Sequence, residues 1–220
     1  MKIVIIGDSG AGKTTLARKI SEKNGIPVFH QDTVWLKTLS KEAVRESTQS
    51  FLSQNKGSWI IDGNYRDSIE LKLPQADFVL WLQISPLKAL YRVIIRSIKR
   101  RLGKRESDIP EDFTEKFDKE WLEFLNYVWH SPKRNKISLG EKIDEFDKRN
   151  QTYVIRNKKD KDNAIKIIHT AYYFDKNKKR WSAWKEKRDM FTLTKFQMKN
   201  DNVRLIFPDI HYAGELYEEI

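Results

Sequence analysis

The sequence predicts an α/β fold, a three-layer sandwich in which a mainly parallel sheet is covered by helices on both faces. Two observations carry this. Five short apolar runs, rich in β-branched and aromatic residues, alternate with segments of helical periodicity. The first run leads directly into a Gly-rich turn and then a helix, an order that places open backbone N–H groups at a helix N-terminus. The alternation is complete by about residue 170, so residues 1–170 read as one domain and residues 171–220 as a C-terminal extension.

Each element has its own signal. Residues 2–6 are apolar and β-branched, as in a buried parallel strand, and Gly7 ends them. Residues 14–23 read as a helix with Leu16, Ala17 and Ile20 on one face, stopped by Asn24-Gly25. Residues 26–29 make a second strand. His30-Gln31-Asp32 is expected as a polar surface turn. Ser40 is an N-cap for a helix running to about Gln54. Trp59-Ile60-Ile61 is a third strand, ended by Asp62-Gly63-Asn64. Residues 78–84 are a fourth, ended by Ser85-Pro86. A long helix over 87–102 and a second over 114–129 make a basic helical region at about 87–130. In the second helix Phe117, Trp121, Phe124, Leu125 and Val128 recur every three or four residues. Its stripe of Phe117, Trp121 and Trp129 is expected in the core. Residues 153–156 are a fifth strand and 160–168 a closing helix. In the extension, 191–198 and 203–207 flank Asn200-Asp201-Asn202 as a candidate hairpin.

Composition narrows the function classes. Lys and Arg number 42 and Asp and Glu 31 among 220 residues, a formal net charge of +11. Charged residues reach 33% and apolar ones 39%, against about 25% and about 45–50% in average soluble proteins. Aromatics at 12%, with seven Trp, argue for a packed core rather than disorder. No apolar run approaches the roughly 18 residues of a membrane span. The absence of Cys excludes disulfides and thiolate metal sites. With no secretory pattern at the N-terminus, a cytoplasmic location without membrane partners is expected. His30, His130, His169 and His211 lack ligand spacing, so no resident metal site is expected. The positive charge is concentrated. Residues 92–105 hold seven basic side chains and no acid, and residues 176–188 hold seven more with only Glu186 against them. Such segments suit polyanions, either nucleotide phosphates or nucleic acid.

The chemistry is most legible at Gly7-Asp8-Ser9-Gly10-Ala11-Gly12-Lys13-Thr14, which matches G-x-x-x-x-G-K-[ST] in full between a strand and a helix. Glycines let successive N–H groups turn inward on phosphate oxygens, and the helix N-terminus adds partial positive charge. Lys13 suits the β- and γ-phosphates of ATP, the Thr14 hydroxyl suits Mg²⁺, and Thr15 adjoins the α-phosphate. Asp62 ends an apolar strand, where a carboxylate can hold Mg²⁺ through water or orient an acceptor. Arg92, Arg96 and Arg100, four residues apart, share one helical face. Arginine forks onto phosphate and stabilises charge on a transferring phosphoryl group. Arg105 lies in the loop beyond, within reach of a closing lid. The Lys and Trp side chains around Trp181 and Trp184 are expected as a tail helix packed on the body.

The phosphate loop, Asp32 and Trp35, Asp62-Gly63-Asn64-Tyr65, the Arg92/Arg96 helix and Phe117-Asp118-Lys119-Glu120-Trp121-Leu122 together resemble the topology modulation protein (FlaR-like) family. These are small bacterial P-loop proteins related to adenylate kinases and other nucleoside monophosphate kinases. The resemblance spans about residues 1–170. It implies a five-stranded parallel sheet in the order 2-3-1-4-5, an acceptor region after the second strand and an Arg-bearing lid. It implies catalytic roles for Lys13, Asp62, Arg92 and Arg96. ATP would be bound by Gly7, Asp8, Ser9, Gly10, Ala11, Gly12, Lys13, Thr14 and Thr15, with Asn157 and Lys158 bordering the adenine. Asp32, Arg66, Lys72 and Arg105 would face the acceptor, and Thr14 and Asp62 would serve Mg²⁺. Lys72 stands where relatives usually have Arg. Gln83 stands where they often have Asp, which leaves Asp62 as the Mg²⁺-side carboxylate.

The expected activity is ATP- and Mg²⁺-dependent phosphoryl transfer to a small acceptor, a nucleoside monophosphate or a related hydroxyl or phosphate compound. The alternative is a nucleic-acid-associated NTPase, or a polynucleotide-directed kinase, using both basic segments. A third reading is a degenerate scaffold that binds nucleotide only for stability. The intact Lys13-Thr14 pair argues against it.

Overall fold

The computed structural model describes residues 1–102 and 117–176, and three short strands at 196–197, 203–205 and 217–219. In chain order the main body runs β1 (Lys2–Gly7), α1 (Lys13–Asn24), β2 (Val28–His30), α2 (Gln31–Thr38), α3 (Lys41–Gln54) and β3 (Trp59–Asp62). A 3-10 turn (Arg66–Ser68) and α4 (Ile69–Lys72) follow. Then come β4 (Phe78–Leu82), α5 (Pro86–Arg101), α6 (Lys119–Glu145), β5 (Thr152–Ile155) and α7 (Lys158–Lys176).

All five strands are parallel, in the order β2-β3-β1-β4-β5. This is the order the resemblance implied. β1, β3 and β4 lie inside the sheet with helices on both faces, which is why their sequences are continuous apolar runs rather than alternating ones. One face packs on α1 and α7 through Ile3, Ile5, Leu16, Ile20, Ala164 and Ile168. The other packs on α4 and α6 through Val4, Ile6, Ile69, Leu73, Leu139 and Ile143. A third small cluster, Ala89, Val93 and Val128, joins α5 to α6.

Local signals account for most helix ends. The Ser40 hydroxyl accepts from the Ala43 N–H at 3.1 Å, the expected cap of α3. Gly25 N–H returns to the Ser21 carbonyl at 2.7 Å and stops α1.

Four expectations are corrected. The turn expected at His30-Gln31-Asp32 is instead the start of a helix, α2, and Gln31 is fully buried. Its side chain is hydrogen-bonded at both ends, which removes the penalty of burial. The second long helix does not end at Trp129. It continues through Pro132 to Glu145, and its cap is Asp118, which accepts from Trp121 N–H at 3.1 Å. Proline at 132 withdraws the N–H that the Val128 carbonyl needs, but the adjacent Ser131 hydroxyl donates to that carbonyl at 3.2 Å. The helix therefore survives a residue that normally breaks one. The Phe117 and Trp129 side chains, expected in the core, are 44% and 43% exposed. Val128 of the expected stripe is buried, with Phe124 and Leu125 packed beside it, and the inward face continues through Ser131, Asn135, Leu139 and Ile143. Finally, α7 is longer than residues 160–168 at both ends.

In the extension, β6 (Phe196–Gln197), β7 (Val203–Leu205) and β8 (Tyr217–Glu219) form an antiparallel sheet in that order. β6 and β7 fall within the expected hairpin arms, and β8 was not foreseen. Arg105, Trp181, Trp184 and the basic segment beyond Lys176 lie outside the described residues. No helix among the described residues is long and apolar enough to cross a membrane.

Candidate functional site

The site is built at the carboxyl ends of β1, β2 and β3. The loop from Gly7 to Gly12 leaves β1 and enters α1 at Lys13. Gly7 has φ +143°, and a Cβ there would collide with the carbonyl oxygen of Leu82 on β4, so only glycine fits. α1 begins with Gly12 at its cap position. It has no side-chain cap and no acidic residue in its first turn. Its N-terminus keeps its partial positive charge for a ligand. The Lys13 ammonium folds back on the loop, donating to the carbonyls of Gly7 at 3.0 Å and Asp8 at 3.3 Å.

β3 delivers Asp62 to the foot of α1. The Thr14 hydroxyl donates to Asp62 Oδ2 at 2.9 Å, and His30 Nδ1 lies 3.0 Å from the same oxygen. The other carboxylate oxygen, Oδ1, is buried without a hydrogen-bond partner. Buried polar atoms are rarely left so. A hydroxyl and a carboxylate with one unsatisfied oxygen, beside the Gly7–Gly12 loop, are hard oxygen donors that suit Mg²⁺. The residues present therefore fit that ion. Among the described residues no group of three or more His, Cys, Asp or Glu could hold a metal without other ligands.

The turn after Asp62 is fixed from several sides. Gly63 N–H donates to the Ile5 carbonyl at 3.1 Å. Gly63 has φ +147°, and any Cβ would strike the Gln31 side chain. Asn64 grips Gly7 twice: its Oδ1 accepts from Gly7 N–H at 2.8 Å and its Nδ2 donates to the Gly7 carbonyl at 2.6 Å. The Tyr65 hydroxyl donates to Asp32 Oδ1 at 3.0 Å, and its ring meets Trp35 with centroids 5.9 Å apart. Burial first, and the Asp32 charge second, push the Tyr65 phenol well above its ordinary range, so it stays a donor. Arg66 is exposed, with its guanidinium donating to Ser138 on α6 at 3.1 Å.

Lys72 corrects an expectation. Anticipated as an acceptor contact, it is 0% exposed. Its ammonium donates to Gln31 Oε1 at 2.6 Å and to the Gly63 carbonyl at 2.7 Å. Burial pushes its pKa down to about 7. It braces the turn from behind instead of facing solvent.

Other elements reach the loop from outside. Arg92 donates to the carbonyls of Gly10 at 3.3 Å and Ala11 at 3.5 Å, and Arg96 follows one helical turn on. Lys161 of α7 donates to the Ala11 carbonyl at 2.7 Å. Burial, with Arg92 and Lys19 nearby, lowers its pKa. From α6, Asn135 Nδ2 donates to Asp8 Oδ1 at 3.1 Å. Burial raises the Asp8 pKa, and the Asn135 bond partly offsets the rise.

The structure thus brings together Gly7 to Thr14, Asp62 and Arg92, and it sets Asp32 beside Tyr65. Thr15 is exposed on the first turn of α1. The Asn157 side chain is engaged in capping α7, accepting from Asp160 N–H at 2.9 Å, and Lys158 is exposed beside it. Gln83 N–H pairs with the Ile155 carbonyl at 2.9 Å, and its side chain is half-buried. Sequence reasoning missed Asn135 and Lys161, and named Asn64 and His30 only within their motifs, without the contacts they make here. Asn64 had a signal, its place in Asp-Gly-Asn-Tyr. Lys161 had a faint one, a cation one helical turn after Asn157. Asn135 had none, since it lies 127 residues from Asp8.

No family model matches the chain, and no curated protein matches it. Among solved structures, a deoxyadenosine kinase from M. mycoides, determined with bound dATP, shares 18% identity at a TM-score of 0.46. That match covers 80% of this chain and 100% of the other. A protein from Chloroflexus aurantiacus assigned provisionally as a kinase shares 16% identity at a TM-score of 0.39, covering 60% of this chain and 80% of its own.

Proposed function

We propose that the protein is an ATP- and Mg²⁺-dependent phosphotransferase acting on a small acceptor, either a nucleoside monophosphate or a related hydroxyl compound. Kinship with the topology modulation (FlaR-like) proteins belongs to the same reading. One observation carries it: Thr14 and Asp62 meet at 2.9 Å at the mouth of an uncapped phosphate loop, and the second Asp62 oxygen is buried and unsatisfied.

The loop N–H groups and the α1 N-terminus bind the phosphates, and Lys13 neutralises the β- and γ-oxygens. Thr14 and Asp62 would hold the Mg²⁺, which supplies charge neutralisation and orients the triphosphate. Arg92 and Arg96 present fixed charge to the group in transfer. The acceptor oxygen bonds to the γ-phosphorus, the bond to the β,γ-bridging oxygen breaks, and ADP leaves. A hydroxyl acceptor gives its proton to a neighbouring carboxylate. Asp32, whose Oδ1 accepts from the Tyr65 hydroxyl at 3.0 Å, is the carboxylate assigned this role on the acceptor side.

The test is a screen with labelled ATP and Mg²⁺ across nucleosides, nucleoside monophosphates and oligonucleotides, with Lys13→Ala as control. Phosphorylation of a small acceptor is expected, and the variant should lose about 10²-fold or more in rate. Wild-type transfer by Lys13→Ala, or transfer only to oligonucleotides, would overturn the assignment.

A further inference from the structure

The geometry points to Asn64 as a positioning residue for nucleotide binding, acting through Gly7 and fastening the phosphate loop to the turn that carries Asp62. The inference rests on the proposed nucleotide-binding role of the loop and goes beyond it, since Asn64 acts on the loop through the Gly7 main chain.

The sheet ladder explains why the residue is needed. The β1–β3 pairing runs from Lys2 with Trp59 to Ile5 with Asp62, and Gly63 N–H to the Ile5 carbonyl is its last main-chain bond. Beyond that point the chain turns away toward Tyr65, so no strand remains to pair with Gly7 on this side. The Asn64 amide replaces it. A primary amide has one acceptor and one donor face, and here both are used on one residue, at 2.8 and 2.6 Å. No other side chain of this length presents the same pair.

The Asn64 end of the grip is itself firmly held. The turn holding Asn64 is anchored independently by Gly63 N–H on Ile5, by the buried Lys72 ammonium on the Gly63 carbonyl, and by Gln31 behind both. Gly7 is held on its other side by β4, where it pairs with Leu82 and the Asp8 N–H reaches the Leu82 carbonyl at 3.3 Å, so Asn64 supplies the hold on the β3 side. Asn64 therefore completes the hold on Gly7 between β4 and the Asp62 turn. The Gly7 carbonyl it orients is also one of the two on which Lys13 rests. Displacing that carbonyl shifts the Lys13 ammonium and the register of the N–H groups that follow.

The experiment compares the full-length wild type with Asn64→Asp and Asn64→Ala, measuring ATP dissociation constants with Mg²⁺ by calorimetry. The unfolding midpoint of each without nucleotide is measured in parallel. Asn64→Asp keeps the volume and the acceptor for Gly7 N–H but sets an oxygen against the Gly7 carbonyl. Both variants are expected to bind ATP about tenfold or more weakly, Asn64→Ala through the loss of both hydrogen bonds and Asn64→Asp through the loss of one and the repulsion of two facing oxygens. Their ligand-free midpoints should stay within a few degrees of wild type. Wild-type affinity in both variants overturns the inference. A lowered midpoint with unchanged affinity, or failure of both to fold, overturns it too, since the bonds would then serve folding alone. Failure of the wild type itself to bind ATP overturns the proposed function, which separates the two ideas.

Discussion

At the scale of single residues, the candidate site pairs side chains that lie on the Gly7–Gly12 loop with others that brace its neighbouring turn from behind. Lys13 and Lys72 have the same side chain and opposite fates. One lies on the loop, and the other is sealed beneath the Asp62 turn. Sequence could not tell them apart on the acceptor side, because the burial of Lys72 depends on Gln31, 41 residues away, closing over it. The sealed ammonium has a consequence for stability. Its pKa is about 7 in the fold against an ordinary 10.5, so between those values the unfolded chain binds more protons than the folded one. Stability therefore rises with pH through that window, by at most about 1.4 kcal/mol per pH unit for one group. Urea unfolding from pH 6 to pH 10 should show this rise in the wild type, and Lys72→Met should lack that share of it. The slope is the readout. The level also falls in the variant, since Gln31 Oε1 and the Gly63 carbonyl lose their donor. An identical slope in both proteins would refute the assignment.

At the scale of elements, the parts readable from sequence are those whose signals are local. The cap at Ser40, the stop at Gly25 and the apolar runs of β1, β3 and β4 each depend on neighbours in the chain. The failures depend on partners from elsewhere. α2 is short and mostly polar, and it is secured by Gln31 bonding to Thr48 of α3 and Ser68 of the 3-10 turn. α6 carries a proline that local rules treat as a break, and its Trp129 points outward while Asn135 and Ser131 point inward. The three- to four-residue spacing gave the covered face from Trp121 to Val128, but not the exposure of Phe117 and Trp129 at its margins. The Ser131 hydroxyl makes the proline tolerable, which can be tested directly. Ser131→Ala leaves the Val128 carbonyl buried without a donor, and should destabilise the protein by about 1–3 kcal/mol in chemical unfolding. The same substitution at exposed Ser53 should change stability by under about 0.5 kcal/mol. Equal effects at the two positions would remove the role assigned to Ser131.

At the scale of the molecule, one parallel sheet gathers every part of the site at one edge. Gly7, His30 and Asp62 are the last residues of β1, β2 and β3, and helices from later in the chain supply Arg92, Asn135 and Lys161. Binding of Mg²⁺-ATP to such a preformed edge should raise the unfolding midpoint, by about 2.7 kcal/mol of stability at 100 times the dissociation constant. No rise for the wild type in thermal unfolding would count against the nucleotide assignment. The net charge of +11 takes on a more specific meaning here. Arg92 already rests on the loop and requires no polymer to explain it.

α6 also sets a length that the chain must keep. Its 27 residues extend about 40 Å, and along them Trp121 meets Ser97, Asn135 meets Asp8 and Ser138 meets Arg66. One residue inserted between Trp121 and Asn135 would turn the two ends out of phase by about 100°. Asn135 could not then meet Asp8 while Trp121 kept Ser97. The helix works as a ruler, and variation in chain length at this point must fall outside its span.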